Sequence, residues 1–90
     1  MKDFLPLGSV VLLKGTDRRI MVVGRVQIDE ENKYHDYSGV LYPEGFQSSD
    51  KMYIFDQEAI QRVYSLGYQD AEEDYLRGYL AEELAKRGIE

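Results

Sequence analysis

Ninety residues with 17 acidic and 11 basic side chains, a net charge of −6 and no cysteine describe one small acidic domain. A chain of this length buries somewhat over ~60% of its unfolded surface, enough for a single core without staples. Disulfides and thiolate metal sites are excluded, a reducing cytoplasm is the expected compartment, and the negative field disfavours phosphate backbones and anionic lipid as partners.

The chain starts Met1-Lys-Asp-Phe-Leu-Pro, and its apolar run Val10–Leu13 stops at Lys14. That run is too short for a signal segment or a membrane span. Ser9–Lys14 reads as a strand with both faces largely buried, and Gly15-Thr-Asp-Arg18 supplies a turn. A second strand follows over Arg19–Ile28. Its even positions Ile20, Val22, Val26 and Ile28 share one face, with Arg19, Arg25 and Gln27 on a wet opposite face. Gly24 interrupts the apolar face, where a missing side chain permits a bend or the close approach of another strand.

Asp29–Lys33 is a polar hairpin tip, and Tyr34–Tyr42 a third strand with Gly39 at its middle. Pro43-Glu-Gly45 ends it, because proline cannot donate to a ladder and glycine accepts positive φ. Ser48–Asp50 is a turn, Lys51–Phe55 a fourth strand, and Asp56 an N-cap for a short helix from Gln57 to about Gln61. Arg62–Tyr68 returns to strand character. Five short strands with glycine bends predict an α+β fold: a strongly bent antiparallel sheet or an SH3-like barrel. The alternative arrangement is an open antiparallel sheet with a helix on one face.

The bent β-domain spans residues 1–69, and residues 70–90 form a C-terminal helix of the same domain. Asp70 caps it, acidic residues crowd its first turn, Lys86 and Arg87 close it, and Gly88 stands at C′. Ala71, Tyr75 and Tyr79 repeat every four residues, and Leu76, Leu80 and Leu84 do so one position later, which makes a wide apolar stripe. Gly78 inside it costs roughly 1 kcal/mol relative to alanine, so another backbone or side chain is expected to approach there.

Little in the chain does chemistry. His35, the single histidine, sits near the hairpin tip without a nucleophile beside it or ligands spaced for a metal. Asp29, Glu31 and Lys33 imitate the alternation of a calcium loop, but lysine occupies a ligand position. The carboxylate pairs Glu30/Glu31, Glu72/Glu73 and Glu82/Glu83 read as solvated faces, and the glycines form no phosphate cradle. No catalytic, cofactor or metal residue is assigned. The eight tyrosines carry more weight, because an amphipathic ring gives contact area at small entropic cost.

Leu5-Pro-Leu-Gly-Ser-Val-Val-Leu-Leu-Lys-Gly15, Ile20-Met-Val-Val-Gly-Arg25, Asp36-Tyr-Ser-Gly-Val-Leu-Tyr-Pro-Glu-Gly45 and Val63–Tyr68 resemble domain-of-unknown-function family 4176. Its small proteins are encoded beside type VII secretion loci of Gram-positive bacteria. The resemblance implies a cytoplasmic, non-enzymatic adaptor or targeting factor that binds an LXG-type toxin or its helical partner before export. It carries over no catalytic residue. The expected partner-binding residues are Tyr42, Phe46, Tyr75, Leu76, Tyr79, Leu80 and Leu84. One edge of the helical stripe would dock internally and the other would serve helix-in-groove recognition. Two Tyr-x-x-x-Glu matches, Tyr68…Glu72 and Tyr79…Glu83, fit type VII export signals, though composition alone supplies as many. The alternative function is an immunity or inhibitor protein that blocks a toxin with its acidic surface. A third reading, an RNA or ribosome binder, would rest on a basic patch of Arg18, Arg19 and Arg25.

Overall fold

In the computed structural model, which describes residues 3–89, the elements follow the order read along the chain. They are β1 Val10–Leu13, β2 Arg19–Ile28, β3 Tyr34–Leu41, β4 Tyr53–Phe55, β5 Ile60–Ser65 and α1 Ala71–Lys86. All strand pairs are antiparallel, in the spatial order β4-β3-β2-β1-β5. No ladder joins β4 to β5 among the described residues, so the open sheet with a helix on one face is the arrangement built. No helix among these residues is long and apolar enough to cross a membrane.

The core gathers Phe4, Val11, Ile20, Val22, Tyr37, Phe55 and Leu84. Tyr37 is its hub. Its ring meets Phe4 edge-on at 5.9 Å and Phe55 at 5.5 Å. Its hydroxyl accepts from the Leu5 backbone N–H at 2.9 Å and donates to the Gln57 side chain. A fully buried phenol is thus satisfied at both ends, as burial requires.

Strand β2 departs from simple alternation. Ile20 and Val22 are buried as expected, but a bulge at Val23 lies between the pairs Val22–Gly39 and Gly24–Ser38. A bulge adds one residue on one strand and exchanges the faces beyond it. Arg25 therefore comes opposite the buried Tyr37, and its side chain is only 4% exposed rather than on a wet face. Ile28, expected inward, is 56% exposed, and Val26 is half-buried. Val26 also holds φ at +57°, an unfavourable conformation for a β-branched residue. Gly24 and Gly39 are the close-approach positions: a Cβ at Gly24 would fall 2.4 Å from Ser38 Oγ, and one at Gly39 2.8 Å from the Met21 carbonyl oxygen.

Three further boundaries shift. The fourth strand begins at Tyr53, because Ser49–Lys51 winds into a 3₁₀ turn. The short helix is a 3₁₀ turn of three residues, Gln57–Ala59. Asp56 occupies its N-cap position without capping it. The cap comes from across the sheet: Gln57 N–H donates to the Asp36 carboxylate at 2.8 Å, and Asp36 N–H donates to Asp56 at 3.0 Å. This reciprocal brace serves both backbone donors better than a local cap serves one.

The last strand ends at Ser65, short of the expected Tyr68. Beyond it Gly67 lies so close to the Leu7 carbonyl that a Cβ would sit 1.8 Å from its oxygen, and Gly67 N–H donates to Ser9 Oγ. Along its paired edge β5 carries two register shifts against β1, at Gln61 and Tyr64. The Tyr42–Pro43 bond that closes β3 is cis.

Candidate protein-binding surface

Helix α1 begins at Asp70, whose carboxylate accepts from Glu73 N–H at 2.9 Å. Gly88, at φ +74°, ends it by a Schellman turn: Ile89 N–H donates to the Leu84 carbonyl and Gly88 N–H to that of Ala85. Ile89 then packs against the core. At about 100° per residue, Glu73, Arg77, Leu80, Ala81 and Leu84 fall within one arc of roughly 100°, with Tyr75 and Tyr79 on the opposite side. That arc faces the sheet. Its C-terminal half is apolar, with Ala81 and Leu84 buried and Leu80 packed on the core.

The N-terminal half of the arc is ionic. Arg25 grips Glu73 with two bonds of 2.6 and 2.8 Å, the side chains being 4% and 12% exposed. Arg25 also reaches the Leu5 carbonyl at 3.3 Å, and Arg77 reaches that of Phe4 at 3.4 Å. Two arginines thus tie the segment before β1, β2 and α1 together. Bidentate guanidinium–carboxylate geometry is what makes such a buried pair tolerable.

The expected stripe is therefore split. Leu84 belongs to the chain's own core and Leu80 packs against it, so neither is free for a partner. Tyr75, Leu76 and Tyr79 remain outside at 78%, 44% and 50% exposure. Tyr75 and Leu76 join Leu7, Tyr68 and Ala71 around an open groove of about 780 Å³, with Glu72 and Glu73 at its side. A smaller recess of about 310 Å³ on the other flank lies between Tyr79 and Val26, Ile28 and Tyr34. A Cβ added at Gly78 would meet nothing within 4 Å, so whatever approaches there does not come from the described part of the chain. Its gap lies in a shallow outward groove between Tyr75 and Tyr79, bordered by Asp74 and Glu82. The groove residue Leu7 was not singled out in the sequence, because only the Gly67–Leu7 contact brings it beside the helix, and Tyr68 drew notice there only in an export-signal match.

Tyr42 and Phe46 do not join this surface as a cluster. Tyr42 lies under the Arg19 guanidinium, 5.1 Å from the ring centre, and Phe46 is exposed in the loop after the cis bond. The three arginines proposed as a basic patch are separated as well. Arg18 pairs with Glu44 at 2.6 Å, which raises the arginine and lowers the carboxylate, while Arg25 is taken up by Glu73.

His35 has more company than a surface histidine. Its Nε2 lies 3.0 Å from Asp29 and its Nδ1 3.5 Å from Asp56. The hydrogen bond with Asp29 raises the imidazole above its usual 6.5. Asp29 is correspondingly lowered, first by the Lys33 N–H and then by His35. The two carboxylates take opposite ring nitrogens, so the three groups cannot converge on one cation. Among the described residues no group of three or more His, Asp or Glu is placed to hold a metal ion. Tyr34 donates to Asp36 at 2.7 Å, and burial pushes its phenol up, with Asp36 adding to the effect.

No curated protein and no solved structure matches the chain. The family model described as "Domain of unknown function (DUF4176)" matches residues 4–76, from the buried Phe4 through the strands to Leu76 on α1. The chain belongs to that family.

Proposed function

We propose that this chain is a non-enzymatic, cytoplasmic protein-binding accessory, an adaptor or targeting factor for an LXG-type toxin exported by a type VII system. It holds a helical segment of the toxin, or of the toxin's helical partner, on the outward side of α1. What supports this reading is the division of the helix: the chain's own core takes Leu80, Ala81 and Leu84 and leaves Tyr75, Leu76 and Tyr79 uncovered. Each would contribute on the order of 1.5–3 kcal/mol if fully buried against a partner. Tyrosine and leucine flanking a glycine gap suit an apolar helix face laid across them. The acidic residues Glu72, Asp74 and Glu82 at the groove borders favour a partner helix with basic flanks.

Co-purification with the toxin encoded at the same locus tests it. The wild-type chain retains the toxin, and the double variant Tyr75→Ala/Tyr79→Ala loses at least tenfold in affinity while unfolding at an unchanged temperature. Failure to associate at high concentrations of both proteins would sink the adaptor reading. Protection of cells from the toxin, weakened by raised salt, would favour the inhibitor alternative instead.

A further inference from the structure

The face of the sheet turned away from the core carries a second surface, built from β1, β2 and β5. Strand alternation points Arg19 and Leu12 away from the buried Ile20 and Val11, and the register sets Arg19, Leu12 and Arg62 abreast. The next row on the same face is Met21 and Val10, both half-buried, with Val40 beside Met21 buried. Tyrosines frame the two arginines. The Arg19 guanidinium lies 5.1 Å from the Tyr42 ring centre and 5.9 Å from that of Tyr64, and the Arg62 guanidinium lies 4.8 Å from the Tyr64 ring centre.

This arrangement is unexpected in a chain of net charge −6. Among the described residues, Arg18, Arg25 and Arg77 all take carboxylate partners. Arg19 and Arg62, both exposed, take tyrosine rings instead. Stacking engages the π face of a guanidinium and leaves its in-plane N–H fork unspent, ready for a carboxylate. Arginine and tyrosine around a half-buried apolar floor are also the composition of interface centres.

We propose that this face binds a protein segment bearing two carboxylates, one for each of Arg19 and Arg62, whose strands stand two spacings apart across β1. Apolar side chains between the carboxylates would rest on Leu12, Val10 and Met21. The occupant is a different protein and not a second copy. A two-fold contact through this face would set arginine against arginine. The apolar side chains of Leu12, Val10 and Met21 beside the two arginines, which a phosphate backbone would leave uncovered, favour a protein segment over nucleic acid. The surface lies on the opposite side of the sheet from α1 and does not depend on what the helix holds.

The test uses the full ¹⁵N-labelled chain and amide chemical-shift mapping. The probe is a capped seven-residue peptide with glutamates at positions 2 and 6 and leucine or valine elsewhere, so that in an extended strand both carboxylates and the apolar residue at position 4 share one face. Its controls are the same peptide with glutamine for glutamate, and an eight-residue oligothymidylate. The glutamate peptide should shift Leu12, Arg19, Arg62 and Tyr64 at millimolar concentration. The glutamine peptide should bind at least tenfold more weakly, as should the variant Arg19→Gln/Arg62→Gln, with the Tyr37 and Val22 signals unmoved to show an intact fold. The proposal is overturned by equal binding of the two peptides, tighter binding of the oligonucleotide, or no shift with the glutamate peptide. Concentration-dependent shifts of this face without any probe, the sign of a second copy, would overturn it too.

Discussion

His35 joins two parts of the molecule that are distant in sequence, the hairpin tip at Asp29 and the corner at Asp56. Its imidazole is raised in the folded chain, first by the Asp29 hydrogen bond. A raised folded value means that the stabilisation is fully present below the unfolded histidine's pKa and is lost as pH rises through the folded one. Asp29 runs the other way: its lowered value gives stabilisation present above the unfolded carboxyl's pKa and lost as pH falls through the folded one. The corner is therefore firmest in mildly acidic solution. NMR titration of His35 should give a midpoint above 6.5, and His35→Gln should remove the loss of stability on passing from pH 6 to 8. Gly67 makes a simpler case. Any side chain there meets the Leu7 carbonyl, so Gly67→Ala should lower stability by more than about 2 kcal/mol in urea unfolding, despite alanine's lower backbone entropy cost.

The helix puts two opposed effects at one position. Gly78→Ala should raise stability by about 1 kcal/mol, since the glycine meets nothing from its own chain. Under the proposed function the same methyl fills the notch between Tyr75 and Tyr79 and weakens toxin binding, so thermal unfolding and pull-down should move in opposite directions. The Arg25–Glu73 pair behaves differently. Glu73→Gln leaves a buried guanidinium without its counter-charge and should cost about 3–5 kcal/mol, whereas Arg25→Met with Glu73→Leu should recover most of that loss. These elements also mark how far the sequence could be read. The bounds of β2 and the Asp70 and Gly88 ends of α1 follow from alternation and capping chemistry, which are local. The inward turn of Arg25 was not legible, because one bulged residue exchanges the faces of a strand and only Gly24 hints at it. Nor did the helix reveal which half of its stripe is docked, since the ionic anchor Glu73 meets its partner 48 residues away in the chain.

At the scale of the whole molecule, the helix completes the core that the strands begin. Leu84 joins Phe4, Val11 and Tyr37, so a chain ending at Gln69 should lack a cooperative thermal transition by circular dichroism and expose its apolar face. The matched region, residues 4–76, contains Arg25 and its partner Glu73 but neither Arg77 nor this apolar half. The two candidate surfaces lie on opposite sides of the sheet. Substitutions at Tyr75 and at Arg62 should therefore add in their effects on stability to within about 0.5 kcal/mol.

The irregular pairing of β5 with β1 has a consequence for the protein in a crowded cell. A flat terminal strand bearing the exposed Val63 and Tyr64 would invite copies to zip together side by side into fibres. The kinks at Gln61 and Tyr64 disturb the repeat that such growth needs. Under the proposed function, the molecule offers tyrosine-rich ground to other proteins while remaining a poor template for itself.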